Sequence, residues 1–222
     1  MKKLIQLFVW LACSLTVIIA AARHSVKTRP TPKAPVLKLN LDTKKGMGNS
    51  IAYPTGTAYK LPKGIVLHIS GTDNKRCQLG AGSLVKLCLT LRNKTEESVT
   101  VALPAGLIFV SQDEKIQNGL LIRDETFVLA AGETFIFNLA LFCLNEDRAV
   151  TKAKDKYKMG PVSEDVDIKE LMELLQDKDL KDEHHQATAQ KALWDITKGF
   201  ALTAAQHRTI AQIPGRFYFE KE

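Results

Sequence analysis

The chain has 222 residues, of which 45% are hydrophobic and 25% charged, enough for one globular domain with a real core plus appendages. Its formal charge is +7, but residues 23–50 hold seven basic side chains against Asp42 alone, whereas residues 51–222 hold 22 basic against 23 acidic ones. The basic excess therefore belongs to a tail, and a near-neutral folded part excludes a nucleic-acid domain, which needs positive charge on a structured face.

Lys2-Lys3 precede the apolar stretch Leu4–Ala22, which closes on Ala20-Ala21-Ala22. A charged n-region, an apolar h-region and a small-residue site read as a signal peptide over residues 1–22, cut after Ala22. An uncleaved anchor is an alternative, because the stretch is long enough to span a bilayer. Lipidation at Cys13 is another, opposed by Trp10 and by the apolar run that continues past Cys13. Export to the periplasm, the cell surface or the medium puts the mature chain where disulfides persist. Cys77, Cys88 and Cys143 then remain, an odd number that leaves at least one outside an intramolecular pair.

Residues 23–50 contain Pro30, Pro32 and Pro35 among basic side chains and end in Lys44-Lys45-Gly46-Met47-Gly48. This composition reads as a solvated linker. Its lysines could also touch an anionic membrane surface, at about 1 kcal/mol per residue.

Residues 51–144 carry a period of two. Ile65–Ile69 is a short strand, and Leu84–Arg92 alternates cleanly, with Leu87, Leu89 and Leu91 on one face and Lys86, Cys88, Thr90 and Arg92 on the other. Val99–Leu103 is expected as its hairpin partner across the polar turn Asn93–Glu97, and Asn93-Lys94-Thr95 is also a glycosylation sequon. Further strands are expected at Leu107–Val110, Leu120–Ile122 and Thr126–Leu129. The last and longest runs Thr134–Leu144, with Cys143 continuing the core face of Phe135, Phe137, Leu139 and Leu141. About seven short strands at this spacing resemble an immunoglobulin-like antiparallel β-sandwich. No Trp lies between Cys88 and Cys143, so the Cys…Trp…Cys signature of that family is absent. Cys88 faces away from the core, which favours a Cys77–Cys88 disulfide and leaves Cys143 alone.

Residues 145–222 read as a charged loop followed by helices. A capping box at Asp167–Glu170 precedes the stripe Ile168, Leu171, Met172 and Leu175. A second helix is expected over His185–Lys198, stopped by Gly199, and a third from Thr203, capped by Gln206 and ending before Pro214. Phe217-Tyr218-Phe219 would supply a last strand. The fold class is thus mainly β with a helical C-terminal region.

Two motifs stand out: Phe142-Cys143-Leu144 and, on the second helix, Gln190-Lys191-Ala192-Leu193-Trp194. They resemble the motif pair of thioester domains in Gram-positive surface adhesins, an aromatic-Cys-aliphatic motif followed by Thr-Gln-x-Ala-aliphatic-Trp. Ala189 stands where that family has threonine, and the resemblance covers fewer than ten residues. It implies an internal thioester between the Cys143 sulfur and the Gln190 side-chain carbonyl, open to attack by an amine, with Trp194 one turn on as a shield against water. The competing reading makes Cys143 an inert buried residue, Gln190 a helix-edge amide and Trp194 a packing residue.

His184 and His185 point to different helix faces and lack a spaced third ligand, so no metal is assigned. No nucleophile elbow, phosphate loop or dinucleotide fingerprint is present, so the chain does not read as an enzyme and implies no cofactor. The expected function is an exported, non-enzymatic binding or adhesion module of the cell envelope or medium. Its partner would be a surface or envelope protein or a glycan. The alternative is a purely structural or assembly domain.

Overall fold

A computed structural model describes residues 44–216. The expected signal peptide, most of the expected basic linker and the expected strand at Phe217-Tyr218-Phe219 lie outside the described residues. Within them the chain forms nine strands and then three helices. The strands are β1 (Ile65–Gly71), β2 (Leu79–Gly80), β3 (Val85–Asn93), β4 (Val99–Leu103), β5 (Leu107–Ser111), β6 (Gly119–Leu120), β7 (Glu125–Leu129), β8 (Thr134–Cys143) and β9 (Tyr157–Val162). The helices are α1 (Val166–Leu175), α2 (Glu183–Thr197) and α3 (Ala204–Ala211).

The larger sheet runs β1-β3-β8-β6-β5-β9, with β2 pairing in parallel beside β8. A Ser70–Lys156 bridge joins its two ends, so the sheet is nearly a barrel. Strands β4 and β7 form a separate antiparallel ribbon. The expected β3–β4 hairpin does not form. β3 pairs instead with β1 and β8, which bury its Val85, Leu87, Leu89 and Leu91 in a continuous apolar layer. The expectation is met at the coarser level of a mainly antiparallel β fold followed by three helices.

Burial alternates along the first half of β8 and is complete from Leu139 to Cys143. The second half is buried on both faces because it separates two cores. Leu139, Leu141 and Cys143 join the sheet interior with Leu87, Leu103, Phe109 and Phe137. Phe142 and Leu144 point the other way, into a layer filled by Ile168, Leu171 and Leu175 of α1 and by Ala189, Ala192, Leu193 and Ile196 of α2. A strand with two partners of this kind reads as a continuous apolar run, which is what the sequence has here.

Three local boundaries differ from the sequence reading. The N-cap of α1 is Asp165, whose carboxylate accepts from the N–H groups of Asp167 and Ile168. α2 begins at Glu183 behind the N-cap Asp182, while its stop at Gly199, with φ of +91°, is as expected. The capping box Thr203/Gln206 of α3 is formed. β9 arises within the stretch expected to be an irregular charged loop, its Lys158 exposed while Tyr157 and Gly160 are buried.

Residues 44–50 do not behave as free linker. Met47 is buried in the helix–sheet core, Gly48 N–H donates to Leu144 O, and Lys44 Nζ is held by Asp165 and Asp167 at 2.7 and 3.0 Å. The folded part therefore includes residues 44–50. No helix among the described residues is long and apolar enough to cross a membrane.

The sequon asparagine has a structural role. Asn93 is fully buried, and its Nδ2 donates to the carbonyls of Glu97, Leu129 and Ala130, tying the end of β3 to the β4–β7 ribbon. Its Oδ1 accepts from the N–H and the hydroxyl of Thr95. An asparagine engaged in this way cannot carry a glycan without unfolding the turn. Asn93→Ala removes a donor from three carbonyls, of which Glu97 O and Ala130 O keep the Thr95 hydroxyl and Glu133 N–H as partners, and should cost about 1–3 kcal/mol in urea denaturation; expression in a glycosylating host should leave the mass of the folded protein free of a glycan at Asn93.

Candidate functional site

The site sits where β8 outruns its neighbour. The β3–β8 register ends at the pair Val85–Leu141, so Cys143 has no partner on that side. On the other side β6 continues: Gly119 lies opposite Cys143, and Leu144 N–H donates to Asn118 O. Because successive amides of a strand point to opposite edges, the N–H and C=O of Cys143 face the vacated edge. Gln190 of α2 fills it. Cys143 N–H donates to Gln190 Oε1 at 2.8 Å, and Gln190 Nε2 donates to Cys143 O at 2.8 Å. Both residues are buried, at 0% and 3% exposure.

α2 can deliver this side chain because its residues divide between the two cores. Ala189, Ala192, Leu193 and Ile196 pack into the helix–sheet layer, whereas Trp194, one turn after Gln190, packs against the sheet interior that contains Cys143. The two residues four apart thus reach the same end of β8. The sequence motifs predict this meeting of Cys143, Gln190 and Trp194, separated by 47 residues along the chain at the closest hydrogen bond.

The sulfur has its own surroundings. Asn145 N–H donates to Cys143 Sγ at 3.2 Å. Asn145 is itself immobilised: its Oδ1 accepts from Asn118 N–H, and its Nδ2 donates to Gly46 O and Gly48 O. Gly48 adopts φ of +52° and lies so close to Thr197 O that an added Cβ would be 2.8 Å from it, so the 44–50 segment is threaded tightly between β8 and the end of α2. Trp194 Nε1 is buried without a hydrogen bond of full geometry. It nevertheless lies near enough to the sulfur to act on its ionisation.

Burial pushes the Cys143 thiol up to about 11, the indole of Trp194 and the N–H of Asn145 pull it back, and the charge of Glu146 adds to the rise. Glu146 in turn is paired with Lys198 just beyond α2. Beside the site is an open cleft of about 550 Å³, lined by Tyr53, Glu114, Asn118, Arg148 and Lys158 among others. Asn118 belongs to both, since its Nδ2 also donates to Gly46 O.

The other cysteines are elsewhere. Cys77 and Cys88 are both free thiols, so the expected bridge between them is not formed. Cys88 is on the outer face of β3 opposite Asn138 of β8, and burial raises the Cys77 thiol above its ordinary value. His184 and His185 sit at the start of α2, where their N–H groups are capped by Asp182. No cluster of three His, Cys, Asp or Glu side chains able to hold a metal occurs among the described residues. Asn118, Asn145 and the 44–50 segment have no signature in the sequence beyond the position of Asn145 directly after the Phe-Cys-Leu motif. Their roles depend on a fold that brings positions 46 and 145 together.

No family model, curated protein or solved structure matches the chain.

As long as Cys143 is a thiol, its burial couples folding to pH. The unfolded thiol loses its proton near its ordinary value of 9.0 and the folded one near 11, so stability present below pH 9 is lost as pH climbs through this window. Gln190→Ala, which cannot form a thioester, should lose roughly 2–3 kcal/mol over this range by denaturant unfolding; adding Cys143→Ala should remove that part of the slope.

Proposed function

We propose that this protein is an exported, non-enzymatic adhesion module that binds its partner covalently through an internal thioester between Cys143 and Gln190. The observation that supports it most is the pair of reciprocal 2.8 Å hydrogen bonds that hold the Gln190 amide against the backbone of the one buried cysteine among the described residues. An amide so held has its carbonyl oxygen on the Cys143 N–H, where negative charge would develop when sulfur adds to the carbon. Sulfur adds to Cδ, the Cδ–Nε2 bond breaks, and the thiol proton leaves with the nitrogen as ammonia. The product is an acyl group that a primary amine opens, forming an amide with Gln190 and returning the thiol. Burial keeps water from competing.

The partner is a surface or envelope protein, or a glycan, that presents such a nucleophile. Export rests on the leader read over residues 1–22, and the basic linker could add weak contact with an anionic membrane. The chemistry calls for no cofactor and no nucleic acid. For the β portion, an immunoglobulin-like sandwich stays a proposal supported by short antiparallel strands and the alternation along β3.

A second reading has an observation of its own. Gln190 satisfies the N–H and C=O of Cys143 where β3 has ended, acting as a substitute peptide group that caps the strand. A purely structural or assembly domain would need nothing more.

Covalent labelling separates the two. Incubation of the native protein with a tagged primary amine should place the tag on Gln190, found by peptide mapping, and release one thiol per tag at Cys143. Cys143→Ala should stay untagged while remaining folded. An untagged parent protein would leave the strand-capping reading in possession.

A further inference from the structure

The sulfur of Cys143 is flanked by two N–H groups. One is the backbone N–H of Asn145, at 3.2 Å from Sγ. The other is the indole N–H of Trp194, which is buried and has no full-geometry hydrogen bond to any other group. A buried indole N–H normally finds a partner, because leaving it unpaired costs free energy comparable to a lost hydrogen bond. The group it does lie beside is Cys143 Sγ, a weak acceptor as a thiol and a strong one as a thiolate. A donor that is poorly satisfied in the resting state is well suited to a charge that exists only transiently.

We propose that the Trp194 indole N–H and the Asn145 backbone N–H form a sulfur-binding pair that stabilises negative charge on Cys143 Sγ. This makes Trp194 a participant in the chemistry as well as a cover. The proposal rests on the thioester reading for its place in a reaction: sulfur carries negative charge as it attacks Gln190 Cδ, and again when an amine attacks Cδ. In the second step the Cδ–N bond forms, the Cδ–Sγ bond breaks with its electron pair on sulfur, and a proton from the amine nitrogen ends on that thiolate. Without donors at the leaving atom, a thiolate expelled into an apolar site would recombine with the acyl group.

The side chain of Asn145 is a positioning element for this pair. Its Oδ1 is fixed by Asn118 N–H and its Nδ2 by the carbonyls of Gly46 and Gly48. Those three bonds hold the peptide plane that presents Asn145 N–H to the sulfur. The nearby charges divide: Arg148 favours the thiolate, whereas Glu146, paired with Lys198, opposes it. The two N–H donors are therefore the uncharged groups on which ionisation of this sulfur depends.

Trp194→Phe keeps an aromatic cover and removes only the N–H donor. Two readouts apply, both on the full protein after purification. The first is the rate of thioester opening by methylamine, followed by intact mass. The second is the titration of Cys143 in methylamine-treated protein made with isotope-labelled cysteine, followed through its Cβ resonance. Trp194→Phe should slow opening about tenfold and move the titration midpoint up by about one pH unit, since one unit is a factor of ten. An unchanged midpoint and an unchanged opening rate would overturn the proposal. Should Trp194→Phe fail to fold, a benzothienyl analogue of tryptophan at position 194, nearly isosteric and lacking the N–H, must give the same shift. A parent protein that loses no ammonia yet shows the midpoint shift would sink the thioester reading and leave the sulfur-binding pair standing. The loss of both effects together would sink the pair itself.

Discussion

The interaction on which this structure turns is the exchange of two hydrogen bonds between the Gln190 amide and the backbone of Cys143. It is needed because β8 extends past the end of β3 and would otherwise bury a bare N–H and C=O. Unpaired groups of this kind cost about 1–3 kcal/mol each. Satisfying them fixes the axial position of α2 on the sheet, since Gln190 must arrive level with Cys143. The remaining contacts of α2 then fall into place, with Ala189, Ala192, Leu193 and Ile196 in the helix–sheet core and Trp194 over the sheet interior.

The same arrangement is what gives the site its chemical character. An amide held rigidly against the backbone of a buried cysteine would lose little further freedom on reaction, which is how proximity contributes to rate. Desolvation works against the step by keeping the thiol protonated, and the N–H groups around the sulfur work for it. The 44–50 segment takes part at one remove. It is gripped by Asn145 and Asn118, seated by Met47 and pinned by Lys44 to the start of α1.

Much of this was legible in the sequence, for identifiable reasons. The alternation of Val85–Asn93 and the apolar run ending at Cys143 follow from burial, and both strands are present with the expected faces inward. The inward direction of Cys143 and the outward direction of Cys88 follow from the same parity. Gln190 and Trp194 stood out through the resemblance of their motif to that of thioester domains. What was not legible is non-local. β3 chooses β8 over the nearby Val99–Leu103 because the larger sheet buries more of its leucines, a comparison that spacing alone cannot make. β9 is masked by Lys158, which is tolerated on the exposed face of a strand, and by Lys152, Lys154 and Lys156, which precede it. The buried role of Asn93 and the anchoring of residues 44–50 depend on carbonyls supplied from distant positions.

A covalent bond between Cys143 Sγ and Gln190 Cδ would be visible in the intact mass of the natively purified protein. The thioester puts that mass one ammonia below the value its sequence gives, with Cys143→Ala and Gln190→Ala each at the full mass expected for its own sequence. A parent protein at full mass, with Cys143 alkylated once unfolded and never before, would contradict it and identify Gln190 as a cap on the end of a strand.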